Sequence, residues 1–207
     1  MKLASRSICP AGTGRHPVPD SERPSGERAL VERARQGQRE AFDSLVRAHA
    51  AGVYAVVSRL CATADEAEEV TQETFLRAWR GIAQFKGDCQ LFTWLYRIGV
   101  NEALRRNQRR APEVSSMDDH RAHTPADSRP TPDLEAEQHD LRLALDAAVR
   151  ALHPDYRAPL ILRDIEGLGT VQAAQILDLS EAAFKSRLHR ARSAVRDAVA
   201  AYLGDGA

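Results

Sequence analysis

From Phe85 to Asn101 the chain reads Phe-Lys-Gly-Asp-Cys-Gln-Leu-Phe-Thr-Trp-Leu-Tyr-Arg-Ile-Gly-Val-Asn, a glycine-containing loop that feeds a helix extending to about Arg110. At 100° per residue, Trp94, Arg97, Asn101, Arg105 and Gln108 fall within roughly 80° of one another. That stripe carries an aromatic plane, two guanidiniums and two amides, groups that stack on unpaired bases and hold phosphates. Phe92, Tyr96, Val100 and Ala103 fall on the other side, with Leu91, Leu95 and Ile98 flanking, so the same helix has a face for a core. An amphipathic helix with a solvated basic end satisfies the periodicity equally well.

The rest of the chain is also helical in pattern. Residues 1–26 are rich in Pro, Ser, Gly and Arg without periodicity and read as a disordered tail. Leu30, Val31 and Ala34 mark a short helix ending near Gly37. A longer one runs from about Arg39 to Cys61 on Phe42, Leu45, Val46, Val53, Val56, Val57 and Leu60. A third, capped by Thr63 or Asp65, runs to about Ile82, and Glu66, Glu68 and Glu69 suit the positive end of its dipole. From Ala111 to about Asp133 periodicity vanishes among four prolines and scattered charges, the composition of a linker. Helical spacing resumes at Leu141, Leu145, Ala148, Val149 and Leu152, stops at His153-Pro154, and returns from Tyr156 to Asp164. Strand-like alternation is nowhere sustained. The expected fold is all-α: two small helical domains, 27–111 and 138–204, joined by a flexible acidic linker, 112–137.

Charge is zero overall, which taken alone argues weakly against a nucleic-acid binder. Its distribution argues the other way. Residues 29–110 hold 13 Lys and Arg against 10 Asp and Glu, whereas residues 111–139 hold 2 against 7. Binding responds to local field, and the acidic middle hides the basic ends. Cys9, Cys61 and Cys89 are odd in number with no C-x-x-C pair, which speaks against a disulfide framework or zinc knuckle. His120 and His123 sit in the polar linker without partner ligands. No apolar run approaches the roughly 18 residues of a membrane span and no secretory h-region is present, so the expectation is a cytoplasmic protein. No nucleophile motif, phosphate loop or metal constellation points to an enzyme; no catalytic residue, cofactor or metal is expected.

Gly167 to Ser180 reads as a short helix and tight turn, followed by a helix from Glu181 to about Ala200. Small Ala174 allows close helix approach, Asp178 tolerates left-handed geometry, and Ser180 suits an N-cap. This is a helix-turn-helix pattern. On its second helix Lys185, His189, Arg192 and Arg196 lie within about 60°, opposite Phe184, Leu188, Ala191 and Val195. The N-terminal part of such a helix enters the major groove while later basic residues hold phosphates.

The string F-K-G-D-x-x-x-F-T-W-L-Y-R-I-x-V-N closely resembles the promoter-melting segment of extracytoplasmic-function sigma factors, bacterial RNA polymerase specificity subunits. Leu152-x-Pro154-x-Tyr156-Arg157, Leu162 to Leu168 and Lys185 to Arg192 resemble the fourth conserved region of the same family. The resemblance covers about 27–110 and 138–203. Val171-Gln172, Asp178 and Glu181-Ala182-Ala183-Phe184 depart from the usual helix-turn-helix residues, which bears on promoter preference more than on fold.

The resemblance implies a stress-response sigma factor that binds the β and β′ subunits of core polymerase, recognises −10 and −35 elements and melts promoter DNA. It places Asp65, Glu69, Gln72, Phe75, Leu76 and Arg77 on the polymerase; Phe85, Lys86, Trp94, Arg97, Asn101 and Arg105 on the −10 strand; and Lys185, Ser186, Arg187, His189 and Arg190 on the −35 duplex. It also implies an anti-sigma partner and no membrane insertion. A stand-alone helix-turn-helix regulator would account for residues 140–203 and leave 27–110 without a purpose.

Overall fold

The computed structural model describes residues 25–110 and 134–204, all helices, turns and loops, with no strand among the described residues. The expected tail up to residue 24 and the expected linker up to residue 133 lie outside them, while residues 25–26 and 134–137, expected in the tail and the linker, are helical. The stretch 25–110 is taken as the first unit and 134–204 as the second, each described by itself.

The first unit begins with α1 (Ser25–Arg35) and α2 (Arg39–Ser58). Gly37 ends α1 at φ +84°, donating to the Ala34 carbonyl at 2.9 Å while the Gln38 N–H reaches Arg33 at 3.0 Å. That pair of bonds is a Schellman stop, and it needs the left-handed residue that glycine supplies. α2 buries Phe42, Leu45, Val53, Val56 and Val57 and ends at Ser58, three residues short of the expected Cys61. Leu60 and Cys61 both donate back to the Val57 carbonyl, which closes the helix there. Leu60 is still buried, and Val46 is half-buried.

α3 (Ala64–Gly81) starts on Thr63, whose hydroxyl accepts the Glu66 N–H at 3.2 Å, and Glu66 in turn accepts from the Ala62 N–H at 2.9 Å. One orphan donor of the first turn is thus satisfied by the cap, and the Glu66 carboxylate reaches back to the residue before it, a near relative of the capping box. Ala67, Val70, Thr74 and Ala78 line its buried side. A 3-10 turn, Ile82–Gln84, and a loop through Gly87 (φ +75°) lead to α4 (Leu91–Arg110). Gly99 is where α4 comes closest to its neighbours: a Cβ there would stand 3.1 Å from both Thr74 Oγ1 and Val57 Cγ2.

The second unit holds α5 (Leu134–Ala151), α6 (Pro154–Leu160), a π-helical turn at Ile161–Ile165, α7 (Thr170–Ile176) and α8 (Glu181–Gly204). His153 caps α6, its Nδ1 accepting the Asp155 N–H at 3.3 Å, and Pro154 takes the first helical position. Pro159 lacks an N–H, so the helical ladder is already interrupted where the π turn follows. Ile161, Leu162, Phe184, Leu188 and Ala191 form the core. The expected α5 face is only partly realised. Ala148, Val149 and Leu152 are half-buried, whereas Leu141 and Leu145 are 41% and 44% exposed. Periodicity shows that α5 has an apolar face; it does not show how far along the helix that face is covered.

Candidate nucleic-acid interface

On α4 the expected stripe is present as a geometric line, but its first member is roofed over. Asn101 and Arg105 are exposed and Arg97 is half-buried. Trp94 is 3% exposed, its ring centroid 5.0 Å from that of Phe85, itself 6% exposed. Gly81 lies against the same indole, an added Cβ there meeting Trp94 at 3.4 Å. Neither Trp94 nor Phe85, both expected at the strand-contacting surface, offers a stacking plane. The 100° step places Trp94 correctly on the helix; the loop preceding α4 folds back and covers that turn. Lys86, the next residue of the loop, is exposed. The surface along α4 is therefore amide and guanidinium, carried on an aromatic pair that fixes the loop to the helix.

On α3, Asp65, Glu69, Gln72 and Leu76 are exposed at spacings of four, three and four, a single helical stripe. Leu76 is 52% exposed. Phe75 is buried beneath it. Arg77 turns away from the stripe: its Nε donates to Glu73 at 2.6 Å and its Nη1 meets Glu102 Oε2 at 2.9 Å. Glu102 was not singled out from the sequence, yet it is 3% exposed. A signal existed, because Glu102 falls between Leu91 and Leu95 on the helical wheel, roughly 20° from each.

In the second unit the helix-turn-helix has the expected local chemistry. Asp178 takes φ +56° in the turn, the Leu179 N–H donates to the Ala174 carbonyl at 3.0 Å, and Ser180 Oγ accepts the Ala183 N–H at 3.2 Å. Ala173 and Ala174 are buried, so α7 can sit close. Along α8, Lys185, Ser186, His189 and Arg190 are exposed and Arg187 is half-buried. Lys185 lies 3.7 Å from Glu181, and Arg190 donates to the Tyr156 hydroxyl at 3.4 Å. Arg192 is committed elsewhere: hydrogen bonding to Asp164, aided by the charge of that carboxylate, holds its guanidinium above the ordinary value.

The family described as Sigma-70 region 2 matches residues 45–112, and Sigma-70, region 4 matches residues 142–195. The chain belongs to the extracytoplasmic-function sigma factors. It is 34% identical to the RNA polymerase sigma-H factor of Pseudomonas aeruginosa over 84% of this chain and 93% of that protein. It is 33% identical to the extracytoplasmic-function sigma factor SigE of Mycolicibacterium smegmatis, over 92% and 74%. With the Escherichia coli sigma-E factor it shares 32% over 84% and 94%. Among solved structures, CnrH in complex with the cytosolic domain of CnrY superposes with a TM-score of 0.62 at 24% identity, over 86% of this chain and 99% of that one. RpoE of Bartonella quintana, solved with the anti-sigma factor NepR, gives 0.55 at 23%, over 76% and 96%. A sigma factor joins core RNA polymerase and directs initiation at promoters. Among the described residues of this one, no helix is long and apolar enough to cross a membrane.

Proposed function

We propose that this sigma factor divides promoter recognition between two faces. The arc of α4 carrying Asn101 and Arg105, with Arg97 and Lys86, holds the non-template strand at the −10 element. Lys185, Ser186, Arg187, His189 and Arg190 of α8 read the −35 duplex. Asp65, Glu69, Gln72 and Leu76 of α3 dock on polymerase. Phe85, Phe75 and Trp94 act from beneath, as the packed support of these surfaces. The observation that carries the reading is the exposure of Asn101 and Arg105 on a helix that buries Leu91, Leu95, Val100 and Ala103 on its other faces. An exposed amide can take a base edge, and a protein site that receives an unstacked base offsets the few kcal/mol that unstacking costs.

The reading makes the protein a cytoplasmic, non-enzymatic subunit. It also implies an anti-sigma partner that covers these faces, in keeping with the partnered structures of CnrH and RpoE. On this reading two domains, 27–111 and 138–204, are joined by a linker, and limited proteolysis should cut between Ala111 and Asp133 and leave two resistant fragments.

Asn101→Ala tests the central assignment. Polymerase reconstituted with this variant should bind promoters but initiate poorly from duplex DNA, and recover on a template whose −10 region is already unpaired. Equal loss on both templates removes Asn101 from strand capture.

A further inference from the structure

Glu102 is a carboxylate on the apolar side of α4, 3% exposed and adjacent in sequence to the exposed Asn101. Its Oε2 receives Arg77 Nη1 at 2.9 Å from α3, while the Nε of the same guanidinium donates to Glu73 at 2.6 Å. One cation thus joins carboxylates on two helices. A buried carboxylate is costly without compensating bonds, so the bridge favours the rotation of α4 that brings Glu102 to Arg77. Asn101 stands about 100° round the helix from Glu102, and that same rotation sets where its amide points. Arg77 adjoins Leu76, the last member of the exposed α3 stripe.

We propose that Glu102, through Arg77, is the positioning residue for strand capture: the bridge sets the rotation of α4 and holds Asn101 at the DNA-facing surface. The helix that meets polymerase and the helix that takes the strand then share one ion pair. The proposal rests on the role of Asn101 given above.

The test uses the full chain with core polymerase. Glu102→Gln keeps the volume and removes the charge; Glu102→Asp keeps the charge and withdraws it by one methylene. Each is assayed for core affinity, thermal midpoint, and initiation from a duplex promoter and from the same promoter with its −10 region pre-opened. Both variants should keep core affinity within about twofold. Both should lose roughly tenfold on duplex and far less on the opened template, since misplacing a contacting group is felt in the step it serves. Equal loss on the two templates, loss of core affinity in step with activity, or no loss in either variant overturns the proposal. Asn101→Ala is run alongside. If it shows the duplex-selective defect and the Glu102 variants do not, only the positioning role falls. If Asn101→Ala is itself unselective, the reading of Asn101 falls and the positioning role with it.

Discussion

Arg192 grips Asp164 with both arms of its guanidinium, Nε 2.9 Å from one carboxylate oxygen and Nη2 2.6 Å from the other. The pair braces the middle of α8 against the π turn that follows α6. Both side chains are part-exposed, so water screens the attraction, and the brace is worth about 1 kcal/mol or less. Asp164→Ala should cost that much in urea unfolding. It also frees a cation on the basic side of α8, so non-specific duplex affinity should rise and fall more steeply with salt. Anisotropy titrations at two salt concentrations check this; unchanged affinity would place Arg192 away from the DNA.

The α3 stripe gives a second expectation. Glu69→Lys with Gln72→Lys reverses the field of an exposed face. Affinity for core polymerase should drop by at least tenfold, with helical circular dichroism unchanged, as expected for a surface that meets a basic partner. Undiminished affinity in a titration identifies the stripe as solvated surface only.

Arg190→Ala addresses the other DNA face. Its loss should weaken capture of the −35 duplex by roughly 1–3 kcal/mol if a base edge is read. The weak 3.4 Å bond to Tyr156 gives it little structural work to lose. A pre-opened template should rescue this variant less than Asn101→Ala. The reverse order would falsify the assignment of melting to α4.

Gly99→Ala sets two effects against each other. Alanine favours a helix over glycine by roughly 0.5–1 kcal/mol. The added methyl, however, meets Thr74 Oγ1 and Val57 Cγ2 at 3.1 Å. Both neighbours are fully buried, and the Thr74 hydroxyl is tied to the Val70 carbonyl at 2.7 Å, so neither yields easily. Overpacking of this kind costs roughly 1–3 kcal/mol, and the net should be destabilising by about 1 kcal/mol. The denaturation midpoint of the variant decides it; a rise means the helices can part.

Local chemistry was the legible part of this chain. Thr63 at the head of α3, Gly37 behind α1, and the Asp178–Ser180 turn each act within a few residues, and each has the expected geometry. The apolar arc of α8 followed from spacing alone, with Phe184, Leu188 and Ala191 buried. What spacing could not carry is the effect of segments folding over a helix from elsewhere. Trp94 has an outward angle yet lies under Phe85, and Leu141 has an inward angle yet stays exposed. Glu102 stood at an apolar angle, and spacing along its own helix says nothing of Arg77, which meets it from another helix.

The lid that Phe85 forms over Trp94 also makes the protein its own optical gauge. The chain has two tryptophans, and the other, Trp79, packs on Phe42 with ring centroids 5.0 Å apart. Trp79→Phe leaves a single indole at the root of the loop proposed to meet the promoter. With the loop shut, that indole is dry and its emission lies to the blue. Any stage of promoter opening that lifts Phe85 admits water and shifts the emission red, while a stage that leaves the loop in place leaves the spectrum still.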